Sequence, residues 1–281
     1  MIEQSSAPVS VVVPYFQSCL TIDRAIASIF HQTWRPFEVL LIDDVSADGS
    51  LDYLDALSSN YPKDWLKIYT LKSNQGPGTA RNFGWHHATQ QYIAFLDADD
   101  MWHPQKIELQ CSWMIQNPNV ALSGHGASVV TDKDPDILEV RVEGMAWHKS
   151  NSTHLLLTNG FATSTVMLKS NLAQRFADKK YHSEDYLLWC EISLDGHELF
   201  RTKTVLAYAF KPPYGRGGLT ANLSDMARGE RDTYAKLFQS GRIKVWIYPF
   251  LQFISAVKYL RRILIIKKGR PLVSSHPMDS G

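Results

Sequence analysis

The 281-residue sequence has little cysteine. Cys19, Cys111 and Cys190 are far apart and odd in number, which excludes a disulfide framework or a Cys-x-x-Cys zinc site and suits a reducing compartment. Long apolar runs are missing too. A membrane-crossing helix takes about 20 mostly apolar residues, whereas the most apolar stretch, Val245 to Val257, is shorter and contains Pro249. Met1 to Ser6 carries no basic stretch, and Val9 to Val13 is too short for the apolar part of an export signal. A cytoplasmic location is therefore expected. Nor is there an excess of one charge: 29 Lys and Arg against 28 Asp and Glu leave a net +1, which argues against a nucleic-acid partner. No internal repeat or low-complexity tract occurs. With 44% hydrophobic and 20% charged residues, the chain can bury a sizeable core.

What is present begins with alternating strand and helix signals. Ser10 to Val13, Val39 to Ile42, Lys67 to Leu71 and Tyr92 to Leu96 read as strands. Between them, Leu20, Ala25, Ile26, Ile29 and Phe30 fall at helical spacing, as do Leu51, Leu54 and Leu57, and Thr79 to Ala88 can be helical. Apolar strands separated by helices predict βαβ units and a parallel sheet covered on both faces. Ligands of such sheets bind beyond the carboxyl ends of the strands. There the sequence places Tyr15 to Gln17, Asp43 and Asp44, Asn74 to Asn82, and Asp97, Asp99 and Asp100.

These clusters have a shared chemistry. Asp97 and Asp99, two apart, would project to one side of an extended chain. Paired hard oxygen donors suit Mg²⁺ or Mn²⁺, which commonly completes its shell with water and phosphate oxygens. The same pattern also fits a strand-end turn or a helix cap. Arg81 follows the Gly76-Pro77-Gly78 turn, where an arginine can fork onto phosphate oxygens; a plain glycine turn with a solvated arginine fits as well. Asp43 could accept from a nucleobase edge, or close an Asx turn into Ser46 to Gly49.

In combination, Val9 to Pro14, Val39 to Ser50, Asn74 to Gly84 and Tyr92 to Asp100 resemble the opening of the family 2 glycosyltransferases, in that family's order and spacing. The resemblance covers about the first 105 residues. It implies an α/β chain of GT-A (nucleotide-diphospho-sugar transferase) fold, with a mostly parallel central sheet flanked by helices and a C-terminal helical tail. It also implies inverting transfer of one sugar from a nucleotide diphosphate sugar, usually UDP-linked, with Mn²⁺ or Mg²⁺. Carried over, Pro14 and Phe16 line the nucleotide pocket, Asp43 binds the base and Arg81 the diphosphate. Asp97 approaches the ribose or donor sugar, and Asp99 holds the metal, with Asp100 beside it. The chain departs from the family at Pro14-Tyr15-Phe16-Gln17, where Pro-Thr-Tyr-Asn is usual, and at Val45, where glycine is usual.

Further on, His182 to Trp189 suggests a helix capped by Ser183, with Leu187, Leu188 and Ile192 on its inner face. Acidic residues in a first turn are a common dipole effect. By resemblance Asp185 is the general base and Glu184 a neighbour that orients acceptor or base. Thr163 to Leu168 looks like the strand before the acceptor site. Trp102 and Trp189 flank proposed site residues and are candidates for sugar stacking, and Arg216, in a glycine-rich loop, is a candidate for closing over the diphosphate. The Gln-x-x-Arg-Trp pattern of processive synthases is absent.

The expected organisation is a catalytic domain over residues 1–225, divided near 100 into nucleotide and acceptor halves, and a helical extension over 226–281. Residues 242–270 hold eight Lys and Arg and no Asp or Glu. On a helix, Trp246, Phe250, Phe253, Val257, Leu260 and Leu264 share one side. Such a helix suits the interface of an anionic membrane, on the inner face of the cytoplasmic membrane, or packing on its own domain or a second copy. The acceptor implied is a glycan or lipid-linked glycan of bacterial surface polysaccharide synthesis. The alternatives are a sugar-phosphate nucleotidyltransferase and a nucleotide-sugar-binding subunit without catalysis.

Overall fold

The computed structural model describes residues 6–46, 50–130, 141–210 and 223–267. Its centre is one nine-stranded sheet. The strands are β1 (Ala7–Tyr15), β2 (Pro36–Asp43), β3 (Leu66–Thr70), β4 (Tyr92–Phe95), β5 (Asp100–Trp102), β6 (Val120–Val129), β7 (His148–Lys149), β8 (Met167–Lys169) and β9 (Glu198–Ala209). They lie in the order β3-β2-β1-β4-β8-β6-β9-β5, with β7 beside β9. The half from β3 to β4 is wholly parallel. Beyond it the sheet is mixed, because β8 runs antiparallel to both β4 and β6 while β6 and β9 are parallel.

Why the early strands read as unbroken apolar runs is visible in the packing. Val9, Val11 and Val13 of β1, with Val39 and Leu41 of β2, face one core cluster. Val12, Leu40 and Ile42 face the other. Successive side chains of a strand point to opposite faces, so a sheet covered on both sides needs apolar residues at every position. The covering helices include α1 (Ile22–Phe30), α2 (Ser50–Ser58), α3 (Pro77–His87) and α4 (Lys106–Gln116). Helix α3 lies tight on the sheet: a Cβ at Gly84 would come within 2.5 Å of Val12 Cγ1.

Three sequence expectations need adjusting. Leu20 precedes α1 and is 96% exposed, so it takes no part in the helix face. Thr163–Thr165 is a 3₁₀ turn and only Met167–Lys169 is strand. The turn ties the end of β4 to the acceptor half: Thr165 Oγ1 donates to Ala162 O at 2.7 Å, and the Asp97 N–H donates to Ser164 Oγ at 3.2 Å. The boundary expected at residue 225 falls inside a helix.

That helix, α7 (Leu223–Gln239), follows α5 (Ser152–Leu157) and α6 (Glu184–Leu194) in the chain and packs against α6. Its Tyr234 is fully buried and donates to Leu156 O at 2.9 Å. It is therefore part of the core rather than of a tail. The last helix, α8 (Ile247–Lys267), packs on α7. All three cysteines are free; Cys111 and Cys190 are buried and Cys19 is exposed.

Candidate active site

The carboxyl ends of β1, β2 and β4 and the N-terminal ends of α3 and α6 surround a cavity of about 720 Å³. Pro14, Phe16, Arg81, Asp97, Asp99, Asp100, Glu184 and Asp185 all line it. The sequence separates these residues by up to 171 positions, and the topology brings them to one place because β4 is inserted beside β1. Phe16 presents its ring at the mouth, 47% exposed.

Asp43 lies behind the cavity wall, not on it, and is fully buried. Its Oδ1 accepts from the Ser46 N–H at 3.0 Å, so the Asx turn forms, while Oδ2 has no partner. Between these residues Val45 sits at φ 60°, a left-handed conformation that a β-branched residue adopts only under strain. This is the position where the resembling family has glycine. Ser183, which lines the cavity, and Gln17, between the lining residues Phe16 and Ser18, have positive φ as well; strained residues of this kind concentrate at functional sites.

Asp44, which the sequence places at the same strand end without assigning it a role, builds the glycine turn. Its two oxygens accept from the Gln75 and Gly76 N–H groups at 2.7 Å each. Gly76 itself has φ 84°, and a Cβ there would lie 2.7 Å from the Tyr181 ring. Burial raises the Asp44 pKa, opposed by those two hydrogen bonds.

Asp97 to Asp100 form a turn, closed by the Asp100 N–H donating to Asp97 O at 3.1 Å, and not the extended segment the spacing suggested. Both carboxylates of the pair nevertheless face the cavity. Ser164 Oγ donates to Asp100 Oδ2 at 2.6 Å. Burial, with the Asp97 and Asp99 charges adding, pushes the Asp100 pKa up to about 8.

Arg81 does not offer a free fork to phosphate. One terminal nitrogen donates to Asp97 Oδ1 at 2.7 Å and the other to Glu184 Oε1 at 2.8 Å, and the residue is 4% exposed. It therefore clamps the D-x-D turn to the start of α6. No spacing rule finds this link across 103 residues.

At α6, Ser183 occupies the cap position with φ 56° but makes no side-chain cap. One first-turn amide is served by Asp185, whose Oδ1 accepts from the Tyr186 N–H at 2.7 Å. Thr163 Oγ1 donates to Asp185 Oδ2 at 3.2 Å. Burial raises the Asp185 pKa, against the Arg81 charge and both hydrogen bonds. Burial raises Glu184 to about 7 against Arg81, with the Asp185 charge adding to the rise.

The two tryptophans do not reach the cavity. Trp102 is 1% exposed; its Nε1 donates to Ser164 O at 2.7 Å and Lys106 Nζ lies 3.8 Å from its ring centre. Trp189 is fully buried in the core beside Phe176. Large rings in a close-packed interior are not available to a sugar, so both are structural. Arg216 lies outside the described residues.

Six carboxylates (Asp44, Asp97, Asp99, Asp100, Glu184, Asp185) and, among the described residues, one guanidinium line the cavity. A diphosphate entering it would meet a negative wall. An all-oxygen acidic donor set fits a hard divalent cation. Among the described residues no group of three His, Cys, Asp or Glu side chains is arranged to hold a metal ion by itself.

Comparison with known proteins then decides the family. The family described as Glycosyl transferase family 2 matches residues 10–180. The chain belongs to glycosyl transferase family 2. That makes it a glycosyltransferase and sets the nucleotidyltransferase alternative aside; the family match ends just before Glu184 and Asp185. Among curated relatives, this family 2 chain is 30% identical over 193 residues to the Escherichia coli UDP-Glc:alpha-D-GlcNAc-diphosphoundecaprenol beta-1,3-glucosyltransferase WfgD, covering 67% of this chain and 71% of WfgD. It spans 30% of a longer uncharacterized glycosyltransferase of Rickettsia felis, at 35% identity. Two solved structures share its GT-A fold at identities that speak to fold alone. Staphylococcus aureus TarS 1-349 in complex with UDP-GlcNAc has a TM-score of 0.65 at 19% identity, covering 90% of this chain and 72% of TarS. Mannosyltransferase PcManGT from Pyrobaculum calidifontis in complex with GDP-Man and Mn²⁺ has a TM-score of 0.61 at 17% identity, covering 95% and 82%. Among the described residues no helix is long and apolar enough to cross a membrane.

Proposed function

We propose that this glycosyltransferase moves a single sugar, with inversion, from a UDP-sugar to a hydroxyl of a lipid-linked glycan in bacterial surface polysaccharide synthesis. The observation that carries this reading is that Asp99 and Asp185, from separate elements, face one acidic cavity whose two motifs are joined through Arg81. The donor and acceptor classes are supported by WfgD, the curated relative with 30% identity, whose name specifies UDP-Glc and a diphosphoundecaprenol-linked sugar.

In this reading Pro14 and Phe16 pack against the base. The buried, unpartnered Oδ2 of Asp43 is the acceptor for a uracil N–H, a pairing that removes the penalty of an unsatisfied buried group and needs that oxygen uncovered as nucleotide enters. Asp99, with Asp97 beside it, would hold Mg²⁺ or Mn²⁺; such an ion supplies positive charge where the diphosphate departs. Asp185 takes the proton of the acceptor hydroxyl while that oxygen bonds to the anomeric carbon and the bond to the diphosphate breaks. A carboxylate with raised proton affinity suits that role. Thr163 and the Tyr186 N–H hold Asp185 in place, and Arg81 keeps base and donor carboxylates in one frame.

The test is a transfer assay with a panel of UDP-sugars and a GlcNAc-diphospholipid acceptor, with Mn²⁺ and with excess EDTA. The reading expects metal-dependent transfer of one residue, lost in EDTA. Full rate in EDTA would remove the metal from the account. A non-catalytic subunit would show no transfer, and Asp185→Ala would change nothing.

A further inference from the structure

Helix α8 is docked by its polar side. Leu251 and Ser255 are buried (2% and 1% exposed). Ser255 Oγ and Lys258 Nζ donate to the Glu230 carboxylate on α7 at 3.3 and 2.5 Å, Arg262 lies 3.8 Å from the same group, and Gln252 Nε2 donates to Arg231 O at 3.1 Å. Tyr248 stacks on Phe238. These residues share one side of the helix, and Glu230 on α7 accounts for its basic groups there.

The opposite side carries the apolar residues, and they are uncovered. Trp246 is 67% exposed, Phe253 65% and Leu264 58%, with Phe250, Val257 and Leu260 between them. The stripe begins at Trp246, in the turn just before α8, and follows about four turns of the helix from Phe250 to Leu264, with large rings at its N-terminal end. Isolated exposed apolar residues are ordinary, but a continuous stripe of this size marks a surface that something covers.

The charge decides what covers it. Residues 242–270 contain eight Lys and Arg and no Asp or Glu. Lys244 and Arg261 are exposed beside the stripe. A second copy seated on this face would set one basic helix against another without an acidic side chain of either helix to answer it. Negatively charged headgroups answer it directly, and an apolar face with Trp and Phe flanked by basic residues is the pattern of a helix lying in a bilayer interface. With no helix among the described residues able to cross, the contact is peripheral.

We propose that α8 docks this protein on an anionic lipid bilayer, with the Trp246–Leu264 face in the interface. The docking rests on α8 alone; that it brings the cavity to a membrane-held acceptor rests on the function proposed above.

The experiment is co-sedimentation of the full chain with vesicles of phosphatidylcholine alone, and of phosphatidylcholine with phosphatidylglycerol, at low and high salt. Wild type, a Phe250→Ser plus Phe253→Ser double variant and a Lys244→Glu plus Arg261→Glu double variant are compared. UDP titration checks each variant's fold and reads the donor site separately. Binding to phosphatidylglycerol vesicles that falls about tenfold or more in each of the two variants and in salt supports docking, with UDP binding unchanged. The proposal is overturned if wild type ignores anionic vesicles, if the serine variant binds them equally, or if sedimentation velocity finds a dimer that the serine variant abolishes while vesicles capture nothing. A chain that docks on vesicles but takes no UDP would sink the donor reading and leave the docking standing.

Discussion

Arg81 and Glu184 are paired at 2.8 Å across 103 residues of sequence, both nearly excluded from solvent. Through this contact the turn that carries Asp97 and Asp99 is positioned against the helix that carries Asp185. Removing one partner of a buried ion pair leaves the other charge stranded and typically costs about 3–5 kcal/mol. Arg81→Ala is therefore expected to lower the unfolding free energy by roughly that amount. Arg81→Lys should recover part of the loss, since it keeps the charge but not the fork. Denaturant unfolding measures both; an Arg81→Ala protein as stable as wild type would mean that the clamp contributes nothing.

Asp185→Asn is expected to reduce kcat by about 10²-fold or more, the usual range for losing a general base. UDP affinity should stay near wild type. Initial rates and calorimetry separate the two, and a variant with equal loss of rate and of nucleotide binding would point to a structural role.

The pH profile follows from the raised Asp185 carboxyl. A base must be deprotonated to act, so the rate falls as pH falls through its folded-state value, at a pH above the ordinary carboxylate range. Thr163 donates to Asp185 and favours its charged form. Thr163→Val should move the acid limb to higher pH. An unmoved limb would mean that another group sets it.

Glu184 gives a stability counterpart. Its folded value, about 7, lies above the ordinary 4.5, so folding takes up a proton between them. The contribution is fully present below about 4.5 and is lost as pH rises through about 7. Melting temperature should therefore decline from pH 5 to 8 in wild type, and Glu184→Gln should flatten that decline. An equal slope in the variant would exclude Glu184 as its source.

Val45 holds φ 60° beside the cavity. Strain of this kind is worth about 1–3 kcal/mol, against about 0.5–1 kcal/mol for glycine's extra chain entropy. Val45→Gly should be more stable than Val45→Ala, which loses packing and keeps the strain. The reverse order in thermal melts would show that the loop relaxes freely.

How far these features could be read in advance depends on their range. The strands β1, β2 and β4 are legible because burial on both faces writes itself into unbroken apolar runs. The D-x-D turn is legible because its chemistry is local. The Arg81–Glu184 pair, Ser164 under Asp100 and Thr163 under Asp185 are long-range contacts of ordinary residues and leave no local pattern. Trp102 and Trp189 misled because adjacency in sequence to site residues says nothing about which way a ring points. For α8, periodicity identified the two faces, but apolar patterning alone would have buried the side that the structure leaves exposed; Glu230, on another helix, reverses the choice.

The central claim is that the cavity binds a nucleoside diphosphate through Asp99 and a divalent cation. Calorimetric titration of the full chain with UDP, TDP and GDP, each with Mn²⁺ and with EDTA, and repeated on Asp99→Ala, tests it most directly. The account predicts UDP binding that requires Mn²⁺, exceeds that of the other two nucleotides and is weakened by the substitution. No binding of any diphosphate, or UDP binding indifferent to both EDTA and Asp99→Ala, would contradict it.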